Sequence, residues 1–177
     1  EKQDYKFGIL YAHIGLGQAY IMLGDSTAIN HLGQAKLLAE SEKNDSALCS
    51  IYNGMGLYAS NIHRDYYSAL HYFFEGIEAT HRCQYQELEA ILLGNISSIY
   101  YLKDDPTGLT YSLQIYELGH QLNSAYLIFI GALNASYMYY LLHEYDKALP
   151  YIHEVLFIMN HLTLLLNLGQ KDHFQNI

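Results

Sequence analysis

Four short segments recur along this chain at a nearly constant interval, and that recurrence restricts the fold more than any other feature of the sequence. Ala28-Ile29, Ala69-Leu70, Gly108-Leu109 and Ala148-Leu149 stand 41, 39 and 40 residues apart. Each follows a short polar break: Gly24-Asp25-Ser26, His63-Arg64-Asp65, Lys103-Asp104-Asp105-Pro106 and His143-Glu144-Tyr145-Asp146. Upstream of each break lies a signature of small and aromatic residues. These are Leu16-Gly17-Gln18-Ala19-Tyr20, Met55-Gly56-Leu57-Tyr58-Ala59, Ile96-Ser97-Ser98-Ile99-Tyr100 and Ala135-Ser136-Tyr137-Met138-Tyr139. A fixed period of this length marks an array of supersecondary units, each burying its apolar face only against its neighbours. The fourth copy reads from Leu133 to Leu149 without insertion. The first and third are one residue short in the turn, and the second is one residue long.

Each unit reads as a pair of helices, since the chain has two Pro, few internal breakers and no strand-like alternation. First helices are expected over about Tyr5–Leu23, Asp45–Ile62, Tyr85–Leu102 and Ser124–Leu142. Second helices are expected over about Ser26–Glu42, Tyr66–Arg82, Thr107–Leu122 and Tyr145–Asn160. Ser26, Asp45 and Ser124 are the expected N-caps, and Asp105-Pro106-Thr107 reads as a turn that starts a helix. Gly inside a helix costs ~1 kcal/mol, so its presence points to a packing reason. Gly17, Gly56, Ser97 and Ser136 on the first helices, with Ala28, Ala69, Gly108 and Ala148 on the second, are expected to let the two approach closely. Nineteen Tyr fill the space between layers, their hydroxyls reaching the rim. The repeats divide as 5–43, 44–83, 84–123 and 124–162 within a single domain. Residues 163–177 are expected to be a capping helix, or part of a next one, covering Val155, Leu156, Ile158 and Met159.

This pattern resembles the tetratricopeptide repeat, a helix–turn–helix unit, over roughly Tyr5 to Leu162. It departs where the family places a large aromatic early in the first helix, since His13 and Ala132 occupy two such places. Its period of about 40 exceeds the usual ~34, as in the repeats of bacterial regulators and of certain animal scaffold proteins. The resemblance implies an all-α fold, an α-α superhelix of about four repeats plus a C-terminal capping helix, wound right-handed. It also implies that the first helices line a concave groove that takes a protein or peptide ligand. One helix face is spaced i, i+3, i+4, i+7, and the family pattern then marks Ile14, Gln18 and Ile21 in the first copy. The second copy offers Asn53, Leu57, Ser60 and Asn61, the third Asn95, Ser98 and Tyr101, and the fourth Asn134, Tyr137 and Tyr140. Asn95 and Asn134 fall where such repeats use a side-chain amide to bond a peptide backbone or terminal carboxylate. An amide supplies both donor and acceptor, so bonding to a neighbouring helix is an equal alternative. The groove lacks the Lys and Arg cluster of a terminal-carboxylate clamp.

Charge and motif content exclude other classes. Nine Lys and Arg against 18 Asp and Glu give a net charge of −9, which argues against nucleic acid or an anionic membrane as partner. The longest apolar stretch, Val155 to Leu168, is interrupted by Asn160, His161 and Asn167, too short and polar for a membrane span. There is no HExxH, GxSxG or Walker loop. Gly15-Leu16-Gly17-Gln18-Ala19-Tyr20 lacks the last Gly of a dinucleotide fingerprint and sits in a helix with no preceding strand. The ten His are scattered, and His153, Glu154 and His161 lack zinc-site spacing. Asp104-Asp105 reads as a turn rather than a catalytic carboxylate pair. Of the sequons at Asn44, Asn95 and Asn134, two fall mid-helix. Cys49 and Cys83 lie 34 residues apart and are expected to be plain buried thiols in a soluble, reducing, cytoplasmic setting. No enzyme, metal or cofactor is expected. The chain opens on Glu1, without a secretory signal, as a segment of something longer would. The expected function is a non-catalytic binding module, the sensory or regulatory part of a larger bacterial signalling or transcription-regulatory protein. The alternative is a free-standing adaptor or scaffold. Its terminal helices are available for a homodimer contact.

Overall fold

The computed structural model describes the backbone of residues 2–174 and the side chains of residues 5–161. The described residues form eight α-helices and no strand, following one another through short turns. α1 (Lys2–Met22) pairs with α2 (Ala28–Ser41), and α3 (Asp45–Tyr58) with α4 (Tyr66–Cys83). α5 (Gln86–Leu102) is followed by α6 (Leu109–Gln121), and α7 (Ala125–Leu141) by α8 (Tyr145–Phe174). No helix among the described residues is long and apolar enough to cross a membrane. Two compact units, Glu1–Ile99 and Tyr100–Ile177, divide the chain within α5.

All seven junctions share one backbone device. A single residue in the left-handed region ends each helix: Gly24, Lys43, Arg64, Gln84, Asp104, Asn123 and His143, with φ from 50° to 70°. At six of the seven, the next N–H reaches back five residues to a carbonyl of the finished helix, from Asp25 to Tyr20 (2.8 Å) through Glu144 to Tyr139 (2.9 Å). This closure satisfies an otherwise orphaned carbonyl. The second hairpin differs. Its helix passes into a π-turn over Ala59–His63, and Asp65 N–H reaches back six residues to Ala59 O at 3.0 Å. The steps from Gly17 to Gly24, Ser97 to Asp104 and Ser136 to His143 are all seven residues, whereas Gly56 to Arg64 is eight. The additional residue of the second copy is therefore absorbed as a π-bulge. Asn61 is that residue by pattern: without it Ile62 takes the position held by Met22, Leu102 and Leu141.

The missing residue of the first and third copies lies on the other side of the break. Asp25 and Asp105 each accept a backbone N–H two residues on, from Thr27 (2.8 Å) and Thr107 (3.0 Å), and Pro106–Gly108 form one 3-10 turn before α6. Asp65 instead caps three residues on, accepting Ser68 N–H at 3.1 Å. Hydrogen bonds to Thr27, Ser68 and Thr107 hold these three carboxyls below the usual carboxylate range. Ser124 caps α7 by accepting from Leu127 N–H at 3.4 Å. Ser26 and Asp45, expected as caps, do not cap. The cap is the residue immediately after the left-handed one, so Asp25 and Asn44 take the role, Asn44 accepting Ala47 N–H at 3.0 Å. Asp45 bonds Arg82 Nε at 2.7 Å instead. α8 continues through Asn160 to Phe174, so among the described residues the tail belongs to α8 and is not a separate helix. The side chains of the expected cap at 163–177 lie outside the described residues.

In the first unit, Leu10, Leu32, Ile51, Phe73, Leu92 and Ile96 are fully buried. A β-carbon added at Gly17 would stand 2.7 Å from Leu32 Cγ, and one at Gly56 would enter the Phe73 ring. In the second unit, Ile115, Ala132, Ala135 and Met138 are buried with Ala148 and Val155. There α6 and α7 meet backbone to backbone. A β-carbon at Gly131 would lie 2.6 Å from Tyr116 N, and one at Gly119 would lie 2.6 Å from Ile128 N. Neither neighbour can rotate away as a side chain could.

Gly131→Ala should therefore lose about 1–3 kcal/mol of stability in urea denaturation. Gly94→Ala, with open space around the new methyl, should gain up to about 1 kcal/mol from helix propensity. Deleting Asn61 should convert the π-turn to regular helix with the thermal midpoint kept or raised. Deleting Ile21 from the first hairpin, which has no spare residue, should lower it.

Candidate functional site

The residues marked by the family pattern separate into packing groups and surface groups. In the first unit Ile14 is buried and belongs to the core, Gln18 is exposed, and Ile21 and Leu57 are half-buried. Asn53 and Asn95 face each other from α3 and α5, Asn95 Nδ2 donating to Asn53 Oδ1 at 2.8 Å. Of the two roles open to Asn95, this is the bond to a neighbouring helix. Asn61 is exposed in the π-turn and accepts from Ser60 Oγ at 2.9 Å. Ser98 is exposed, and its hydroxyl turns back to Gly94 O at 2.8 Å. Sequence reasoning did not pair His13 with His31. Their Nδ1 atoms stand 3.0 Å apart, and Tyr20 stacks on His31 with ring centroids at 5.4 Å.

In the second unit the marked positions assemble into an aromatic strip. Tyr101 packs on Tyr137 at 4.5 Å between centroids, Tyr137 on Tyr140 at 6.1 Å, and Tyr140 on Tyr145 at 6.0 Å. His143 closes the strip, its Nδ1 2.9 Å from Tyr145 Oη. The strip lies on the surface: Tyr101 is 38% exposed, Tyr140 57% and Tyr145 53%. Tyr137 is the fixed member, donating its hydroxyl to Asp104 Oδ1 at 2.5 Å. That bond, with burial and the carboxylate charge, pushes its phenol up to about 12. Asp104 is also the left-handed residue that ends α5. Asn134, by contrast, is only 7% exposed and lies beneath the surface.

A second aromatic group joins α6, α7 and α8. Tyr116 donates to Glu154 and meets the Tyr151 ring edge-on at 5.2 Å, and Tyr151 stacks on Tyr139 at 5.7 Å. Burial first, then the Glu154 bond and charge, pushes the Tyr116 phenol up to about 12. Each of these two phenols donates its hydroxyl to a carboxylate, Tyr116 to Glu154 and Tyr137 to Asp104. Among the described residues no three His, Cys, Asp or Glu side chains gather as a metal site. Tyrosine content was legible in the sequence; the sorting into an exposed strip and an interhelical group was not, because it depends on how far each helix is turned.

No protein-family model matches this chain, and no curated protein matches it.

The raised phenol of Tyr137 has a consequence at high pH. The folded state holds this proton more tightly than the unfolded chain, whose Tyr ionises near 10. The contribution is thus complete below about pH 10 and lost as pH rises toward about 12. Tyr137→Phe should flatten the fall in stability over that window, as read by denaturation at stepped pH, and should remove one late phenol from the ultraviolet titration.

Proposed function

We propose that this chain is a non-catalytic protein- or peptide-binding module of the tetratricopeptide type. The observation that carries the reading is the exposed strip of Tyr101, Tyr137, Tyr140 and Tyr145. Three of the four stand at first-helix positions where the family resemblance puts the ligand. Tyr offers a broad apolar ring with a polar tip at low cost in side-chain entropy. Contacts between the rings, and the bond from Tyr137 to Asp104, order the strip before any ligand arrives, which lessens the ordering cost of binding. An extended peptide laid on such a strip would take its affinity from the rings and its hydrogen bonds from the hydroxyls. The chain's net charge of −9 favours a neutral or basic ligand over an acidic one.

On the family reading, the stacked hairpins wind into a right-handed superhelix with the first helices on its concave side. The period of about 40 residues, similar to that of bacterial regulators, is the ground for assigning the module to the sensory or regulatory part of a signalling or transcription-regulatory protein. Ligand binding would act there by favouring one pitch of the array over another, which requires different affinities for the two shapes.

Panning a displayed library of random peptides against the protein tests the assignment. Enriched peptides should lose roughly five-fold or more in affinity on Tyr140→Ala, the loss typical of a contact worth above about 1 kcal/mol. They should bind Tyr67→Ala, which removes an exposed ring from the second helix α4, like the parent. Peptides indifferent to Tyr140→Ala would move the site off the strip.

A further inference from the structure

Cys49 and Cys83 share no short spacing in the sequence, yet the second hairpin brings them together. Cys49 lies near the start of α3 and Cys83 ends α4, with their Sγ atoms 3.6 Å apart and both thiols free. Backbone carbonyls orient the pair, Cys49 donating to Asp45 O at 3.0 Å and Cys83 to Thr80 O at 3.7 Å. The bond of Arg82 to Asp45 ties the same two helix ends. Cys49 is fully buried and Cys83 half-buried, so Cys83 is the more accessible residue of the pair. A disulfide needs the sulfurs at about 2.05 Å. Closing the remaining gap takes roughly 1.5 Å.

We propose that Cys49 and Cys83 are a reversible redox pair, oxidised by hydroperoxides to a disulfide that locks the start of α3 to the end of α4. Cys83 is the attacking sulfur. Its thiol first gives its proton to solvent; the thiolate bonds one peroxide oxygen while the O–O bond breaks, and the departing hydroxide takes up a proton from solvent and leaves as water. The resulting sulfenic acid faces Cys49. The Cys49 sulfur then bonds the Cys83 sulfur, the S–O bond breaks, and the Cys49 proton leaves with the hydroxide as a second water. Two thiols have lost two hydrogens and two electrons, and one peroxide has become two waters. Burial, together with the neighbouring Cys83, pushes the Cys49 thiol up to about 12. Cys49 is thereby held as a thiol and does not compete with Cys83 for the peroxide. Thiol–disulfide exchange with an external dithiol reverses the step.

The full chain exposed to millimolar hydrogen peroxide, then alkylated under denaturing conditions, tests this directly. The intact mass should fall by about 2 Da with neither cysteine alkylated, and digestion should yield one peptide pair cross-linked through Cys49 and Cys83. The thermal midpoint should rise by about 5–15 °C, as closing a loop of this length would give, and return on adding dithiothreitol. Cys49→Ser should accumulate a dimedone-reactive sulfenic acid at Cys83, whereas Cys83→Ser should leave Cys49 unoxidised. Two free thiols after peroxide, or oxidation ending in sulfinic acid or a cross-linked dimer, would overturn the pairing. An unchanged midpoint would overturn the lock, and the opposite variant pattern would overturn the assignment of roles.

Discussion

The reversal between consecutive helices is made the same way at every junction, and the hairpins depend on it. One left-handed residue turns the chain out of the helix, and the following N–H closes onto a carbonyl of the last turn. Six of the seven residues in that conformation are not glycine, although it costs an L-residue roughly 1–2 kcal/mol. The closing hydrogen bond and the cap that follows offset the strain. Because the device fixes the exit direction, length differences between copies must be taken up beside it. The surplus residue of the second copy goes into a π-turn before the left-handed residue. The shortfall of the first and third goes into a tighter cap after it.

Small residues set the second scale, the distance between helices. Gly17 and Gly56 admit Leu32 and the Phe73 ring within a hairpin. Gly119 and Gly131 do more, since each lies against backbone of the opposite helix and brings α6 and α7 into main-chain contact. That contact sets the spacing of α6 and α7 within the second unit, and close packing leaves it little tolerance for volume.

Tyrosine carries both structure and surface. Where a hydroxyl finds a carboxylate, as in Tyr116 with Glu154 or Tyr137 with Asp104, the ring is held in one orientation. Where it does not, as at Tyr140, the ring is presented to solvent beside a held neighbour. Cys49 and Cys83 are likewise placed side by side by the second hairpin, a half-buried thiol beside a buried one.

The repeat interval, the order of the helices, the Asp105-Pro106-Thr107 turn and the helix boundaries to within a few residues were legible in the sequence, except the end of α8, which runs on to Phe174. Each follows from local rules of spacing, capping and breaking. The one-residue surplus of the second copy was visible too, though its form as a π-turn was not. Side-chain partnership was another matter. Asn95 could bond a peptide or a helix by its chemistry, and only the facing of α3 and α5 gave it to Asn53. Tyr101, Tyr137 and Tyr140 could be marked one by one, but Asp104 joined them through a hydrogen bond that no motif announces. The cysteines looked solitary because separation along the chain says nothing of separation in space. Local conformation is decided by neighbouring residues and so is written in order; contacts between helices depend on rotation and crossing of whole elements, which only tertiary packing determines.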